Sequence, residues 1–423
     1  MKRQRSTEEY KISPFGKEAI FETKQDGNPT FARGAFGELS LAIFRGDEDQ
    51  FRFVAIKTLR AALVPSAEGQ LQLSENVVNE VSALRRLPRH ENIVSLLALY
   101  SDAAKHGKKS LSLAFPYYPC DLHTSLEWRR RSFLPLLPLA IVKLIAKDIF
   151  SALQHCHQSG ILHRDLKPGN LLVCSNGVVK LCDFGIAKQV ATDDNQPPIE
   201  PTEGQTGTKG LCTLYYRPPE LLLGGSANHA GVDMYSAGVV VAEMVTGGAI
   251  FRGQNTIDQL SVIFDFLGTP TKDSWPSCES LPDFGKLAFK SKEPKQWESK
   301  FPRVTEDNDL HILLKSLVLL NPSKRLSARD VVQHPWFANL VSEDATRRNL
   351  RVDLIPPELR EPILIDPRDQ ASISKVGAKL ASRRRAFLTS RSVSQWESTD
   401  TKTNQILAAL SAYKNSNELT TTW

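Results

Sequence analysis

Two short segments carry side chains whose types and spacing suit phosphoryl transfer. The first is His163-Arg164-Asp165-Leu166-Lys167-Pro168-Gly169-Asn170, and thirteen residues after Asn170 comes Asp183-Phe184-Gly185. Phosphoryl transfer asks little covalent chemistry of a protein. It needs the donor positioned and its developing charge neutralised. Asp165 can accept the proton of an attacking hydroxyl or align it for in-line displacement, and Lys167 can neutralise the transferring phosphate. Asn170 and Asp183 offer hard oxygen ligands for magnesium, which takes few protein groups and relies on substrate phosphates for the rest. A short hairpin would bring the two segments together. His163 is better placed to support the loop than to act as a base, and Cys182 reads first as a small core filler.

Upstream, Phe31-Ala32-Arg33-Gly34-Ala35-Phe36-Gly37-Glu38-Leu39 begins at a strand-like start. Its glycines let a β-turn lie close over triphosphate oxygens, so that backbone N–H groups can donate to them. Alone this broken glycine pattern is weak. Val54-Ala55-Ile56-Lys57 follows about twenty residues later on a strand and strengthens it. Lys57 can then hold the α- and β-phosphates, oriented by a carboxylate from the following helix. Glu80 falls on that helix, with Glu75 nearby.

Strand-like apolar runs occur at 39–44, 51–58 and 111–115, and a helical period fits 75–87 through Val77, Val78, Val81 and Leu84. Beyond Asp121 helical patterns dominate, across 139–157, 232–246, 257–267 and 310–320. The most apolar stretch, Phe133 to Ile145, carries two prolines and Lys143; too short and too charged to span a bilayer, it reads as a core helix. Residues 1–30 are polar and turn-rich. Thr192 to Gly210, rich in Asp, Pro, Thr and Gly, reads as a long mobile loop. After His334-Pro335-Trp336-Phe337, residues 338–423 form a basic, Ser/Thr-containing tail expected to be partly disordered, with a docking segment near Leu354-Ile355-Pro356-Pro357.

The chain has 423 residues, 41% hydrophobic and 24% charged, with a formal net charge of +6. These are the properties of a globular protein large enough for two lobes, and the basic excess reads as solvated surface. Six cysteines without a Cys-x-x-Cys pair look like reduced intracellular thiols. The start Met1-Lys2-Arg3-Gln4-Arg5 leads into polar sequence without an apolar core, so secretion is not expected. Neither membrane nor direct nucleic-acid binding is expected. A nuclear or cytoplasmic location, or both, follows, with Arg383-Arg384-Arg385 as a candidate import patch beside the commoner reading of a solvated charge run.

Taken together, these motifs resemble the eukaryotic protein kinases over roughly residues 31–337, and Lys167 resembles the serine/threonine class. The resemblance implies an α+β, bilobal fold: a small β-rich N-lobe with one key helix (31–115) after an N-terminal extension (1–30), a hinge (116–120), and a larger, mainly helical C-lobe (121–337) with an activation segment at 183–220. It implies ATP as donor and Mg2+ as cofactor. Phe31, Ala32, Arg33, Gly34, Ala35, Phe36, Gly37, Leu39, Ala55, Lys57, Phe115 and Tyr118 would border the nucleotide. Asp165, Lys167, Lys57 and Glu80 would be catalytic, and Asn170 and Asp183 would hold metal. In the family pattern Glu220 pairs with Arg325, and Asp233 braces the catalytic loop.

Thr213-Leu214-Tyr215-Tyr216-Arg217-Pro218-Pro219-Glu220 resembles the corresponding segment of cyclin-dependent kinases, as does Gly268-Thr269-Pro270 with the long segment after it. Leu281 through Pro294 is similar to the cell-cycle-related kinase subgroup, which suggests a role in cell-cycle or transcription control. The resemblance implies Ser/Thr-Pro protein substrates, positioned by Thr213 and Arg217, and an activating phosphosite at Thr208. Arg164 and Lys188 match two of the usual basic partners of that phosphate, while the third position is Asn79. Ser74 to Glu80 replaces the family's cyclin-contact sequence, so a cyclin-like subunit is a candidate partner whose requirement stays open. Ala35 and Phe36 lack the hydroxyls of the inhibitory Thr-Tyr pair of cell-cycle kinases. A second reading, a pseudokinase scaffold without transfer, rests only on Ala32 replacing the first glycine.

Overall fold

The structure is a computed structural model that describes residues 8–12, 19–23, 30–34, 37–45, 51–59, 63–65, 71–102, 110–190, 214–286, 289–338 and 354–359. Among these, residues up to Arg85, with 94–119 and 357–359, form one unit, and 86–93 with 120–356 form another. The fold is α+β and bilobal, with a β-sheet N-lobe and a helical C-lobe.

The first unit contains β1 (Glu8–Ile12), β2 (Ala19–Thr23), β3 (Thr30–Gly34), β4 (Gly37–Arg45), β5 (Phe51–Leu59), β6 (Leu63–Pro65), β7 (Leu71–Leu73), helix α1 (Glu75–Arg86), β8 (Ala98–Asp102) and β9 (Ser110–Pro116). Its main sheet runs β1-β2-β4-β5-β9-β8, all antiparallel. β2 pairs with β4 at Ile43–Arg45 and β3 pairs with it at Gly37–Ser40, so the two share one edge of β4, at opposite ends. The strands β1 and β2 correct the reading of residues 1–30 as merely polar and turn-rich. The outermost strand, β1, can carry polar residues, which hides it from a hydrophobicity pattern.

Alternation along β5 and β9 sorts the core. Val54, Ile56 and Ala114 pack with Ala42 and Ala98, while Leu59, Leu111 and Leu113 pack with Val77 and Val81 of α1. The helix buries Val77, Glu80 and Ala83, a stripe at three-residue spacing.

The second unit holds β10 (Cys120–Asp121), α2 (Leu122–Arg131), α3 (Leu139–Gln158), β11 (Ile161–Leu162), β12 (Leu171–Val173), β13 (Val179–Leu181), β14 (Lys188–Gln189), α4 (Pro219–Leu222), α5 (Gly231–Thr246), α6 (Thr256–Leu267), α7 (Trp297–Lys300), α8 (Asn308–Leu317) and α9 (Ala328–Val332). Helix α5 is buried on every side from Val232 to Val245 and is the centre of this unit. The stretch from Phe133 to Ile145 is not one helix. α3 starts only at Leu139, and Phe133 is 95% exposed with φ +52. Pro135 and Pro138 explain this, because proline disfavours helical geometry in the residue before it and lacks an N–H. The segment 86–93, assigned by sequence to the N-lobe, belongs to this second unit. In the tail, Leu354 and Ile355 are fully buried, and the Cys120 thiol donates to Leu354 O at 3.7 Å.

Candidate active site

In the first unit, register places the side chains. Leu39 lies opposite Lys57, Lys57 opposite Leu113, and Ala55 opposite Phe115. Cross-strand partners share a face, so Leu39, Ala55, Lys57 and Phe115 lie on the face that carries Leu59 toward α1. Lys57 Nζ donates to both oxygens of Glu80, at 2.9 and 2.8 Å, and Glu80 is almost wholly buried. An ammonium held by a buried carboxylate is a positioned cation. Tyr118 is half-buried just beyond β9, after Tyr117, whose N–H donates to Phe53 O at 3.1 Å.

The second unit holds the other groups. Lys167 Nζ lies 2.6 Å from Asp165 Oδ2. Asn170 Nδ2 donates to Asp165 O at 2.8 Å and to Asp165 Oδ2 at 3.1 Å. With its nitrogen so used, the Asn170 amide would have its oxygen to offer a cation. That donor set, an amide oxygen and the Asp183 carboxylate, suits magnesium. The hairpin between the segments exists. Leu171 to Val173 pairs with Val179 to Leu181, and Cys182 N–H donates to Asn170 O at 3.0 Å. Arg164 and Asp183 adopt φ +66 and +64, two of three non-glycine residues in the left-handed region among those described. Such strain survives only where surroundings over-determine it.

Those surroundings are visible. His163 Nδ1 accepts from Asp165 N–H at 3.3 Å, so its proton sits on Nε2, which donates to Cys182 O at 3.0 Å. Both ring nitrogens are occupied, and the ring packs edge-on against Phe184. His163 N–H and His157 Nε2 donate to Asp233 Oδ2, each at 2.9 Å, and Arg164 N–H donates to Oδ1 at 2.7 Å. Burial alone would raise the Asp233 carboxyl, but His157, His163 and the Arg164 N–H together hold it below the ordinary carboxylate range. Arg325 meets Glu220 in a fork of 2.6 and 2.7 Å, and its guanidinium lies 4.8 Å from the Tyr235 ring.

A family model described as "Protein kinase domain" matches residues 29–337. This chain belongs to the protein kinase family. It is also similar to a chain in the solved structure of the CAK complex from Chaetomium thermophilum bound to ATP-γ-S. There the TM-score is 0.61 and the identity 28%, over 76% of this chain and 91% of that one. Kinases of this family take ATP as phosphoryl donor.

Within each unit the structure brings several expected site residues together: Lys57 with Glu80 beside Leu39, Ala55 and Phe115, and Asp165 with Lys167 and Asn170. Phe31, Ala32, Arg33 and Gly34 lie on β3, with Ala32 opposite Leu39 and Gly34 opposite Gly37. Ala35, Phe36, Thr208 and Thr213 lie outside the described residues, as do Thr192 to Gly210 and the Arg383 patch. Arg217 is half-buried and follows Tyr216, whose hydroxyl donates to Glu243 at 2.7 Å. β11 pairs with β14, which sets Lys188 opposite Leu162, and Arg164 Nε donates to Ile186 O at 2.7 Å.

Sequence reasoning missed His157, Asp148, whose carboxylate accepts from Val179 N–H at 2.9 Å, and Glu243. The one signal for them was a polar residue inside an otherwise apolar helical stripe.

Proposed function

We propose that this chain is an ATP- and magnesium-dependent protein serine/threonine kinase of the cyclin-dependent kinase-like branch, acting on Ser or Thr followed by proline. The observation that carries this reading is the Asp165–Lys167–Asn170 cluster, where the lysine sits 2.6 Å from the candidate base. Asp165 orients the substrate hydroxyl and takes its proton as the oxygen attacks the γ-phosphorus, while the bond from that phosphorus to the β–γ bridging oxygen breaks and ADP leaves. Lys167 stabilises the negative charge on the transferring group. Lys57, fixed by Glu80, holds the α- and β-phosphates. Magnesium, when bound through the Asn170 oxygen and Asp183, neutralises phosphate charge. The similarity to a chain of the CAK complex supports both the branch and a partner subunit, with a cyclin-like protein as candidate. The proline preference rests on Arg217, Mg2+ on the donor chemistry of Asn170 and Asp183, and regulation at Thr208 on its place in the segment. A location in nucleus or cytoplasm fits such substrates.

The test is transfer of labelled phosphate from ATP to paired peptides that differ only in Ser-Pro against Ser-Ala. The Ser-Pro peptide is expected to be favoured by about tenfold or more in kcat/KM, which is about 1.4 kcal/mol of transition-state binding. Equal rates would overturn the proline assignment, and no transfer to either peptide, with or without a copurified subunit, would overturn the enzyme.

A further inference from the structure

The turn before β8 lies outside every role assigned so far, yet it grips the strand that leads to Asp183. Asn92 O accepts from Leu181 N–H at 2.8 Å, and Asn92 Nδ2 donates to Val179 O at 3.1 Å. Ile93 forms a parallel bridge with Leu181, and Lys180 Nζ donates to Glu91 O. Asn92 is itself held by a histidine, since its N–H donates to His90 Nδ1 at 3.1 Å. The His90 ring stacks on His155, with centroids 4.7 Å apart and planes 28° from parallel. His155 Nε2 donates to Pro88 O at 2.9 Å, and Ser151 Oγ lies 3.4 Å from His90 Nε2.

This geometry fixes where protons go. A ring nitrogen that accepts an N–H carries no proton, so neutral His90 is protonated at Nε2, toward Ser151. A second proton could enter only at Nδ1. There it would turn an acceptor into a donor facing the Asn92 N–H, and two donors cannot share that contact. We infer that His90 is a positioning residue for phosphoryl transfer, a proton-sensitive clasp whose protonation at Nδ1 frees Asn92 and loosens the strand Val179–Leu181 that sets Asp183. The functional part of this inference rests on the kinase reading above.

The charges around the ring agree with a clasp kept closed at neutral pH. Burial lowers the His90 pKa, and His155 and Lys180 lower it further, while Glu91 and Asp148 raise it. The net value lies below that of an ordinary histidine. The stabilisation by neutral His90 is therefore fully present above the ordinary histidine pKa and is lost as pH falls through the folded value.

The test uses the full chain and two variants. His90→Asn keeps an acceptor near the Nδ1 position, in the manner of an Asx turn, and cannot titrate. His155→Phe keeps a ring against His90 and removes the neighbouring imidazole that holds the His90 pKa down. Backbone hydrogen exchange at Leu181, corrected for intrinsic pH dependence, is compared between about pH 7.5 and about pH 5.5. Wild type should exchange about three- to tenfold faster at the acid pH, the change expected for loss of one ordinary hydrogen bond. H90N should show no acid acceleration, and in H155F the acceleration should begin at higher pH. The acid limb of kcat should move in step with exchange. Acid acceleration that persists unchanged in H90N, or is missing from wild type, would overturn the clasp. Because exchange is read without any substrate, a failure of the clasp is distinguishable from a failure of the kinase assignment.

Discussion

Replacing Asp233 by Asn tests how the fold holds its strained catalytic loop. The carboxylate takes three donors on two oxygens: His163 N–H and His157 Nε2 on Oδ2, and Arg164 N–H on Oδ1. An amide of the same volume has one oxygen, so however it turns, at least one donor meets an NH2 group in a fully buried site. An orphaned buried donor costs about 1–3 kcal/mol, and the bonds that survive lose their charge assistance, about 1 kcal/mol each. The expected loss of stability is therefore about 3–5 kcal/mol, with no cavity to complicate it. Urea unfolding followed by far-UV circular dichroism measures the loss. Steady-state kinetics measures its consequence: kcat should fall more than KM for ATP changes, because the Arg164–Asp165 backbone loses its brace. A loss below about 1 kcal/mol with unchanged kcat would refute the reasoning, since it would mean these short contacts do not set the loop.

Arg325→Met removes one partner of a buried fork and strands the Glu220 carboxylate; thermal unfolding should show a loss of about 3–5 kcal/mol. Glu243 has its pKa raised, first by burial and against the Tyr216 hydrogen bond and Arg252. Its contribution to stability is fully present below the usual glutamate pKa and declines as pH rises through the folded value. Glu243→Gln should therefore gain on wild type in urea midpoint as pH rises above the usual glutamate range, and a difference that is flat with pH would contradict this. Lys57→Met strands the nearly buried Glu80 carboxylate, so urea unfolding should show a loss of about 3 kcal/mol. Transfer should drop by at least about a hundredfold, read in the labelled-ATP assay.

Much of the chemistry was legible because it is local. Asp165, Lys167 and Asn170 lie within six residues, and Glu80 follows from helical spacing with Val77. β5 and β9 were legible through alternating apolar residues. The supporting contacts were legible only where the family resemblance marked Asp233 as the brace of the catalytic loop, because they join residues far apart in sequence: His163 and Arg164 reach Asp233 across 70 and 69 positions, and His157, which nothing marked, across 76. Nothing local in Asp233 or His157 marks them apart from polarity on a buried face. The apolar count that made Phe133 to Ile145 one helix ignored what Pro135 and Pro138 do to the backbone. The segment 86–93 groups with the second unit because Asn92 is bonded to Leu181, a contact that sequence order does not reveal.

The most direct measurement is phosphate transfer from labelled ATP to a Ser-Pro peptide by the wild-type chain and by Asp165→Ala, each at matched folded concentration. Wild type is expected to label the peptide, and the variant to be slower by at least about a hundredfold, the scale of a lost general base. Equal labelling by both proteins would contradict the assignment of Asp165 as the group that handles the substrate hydroxyl.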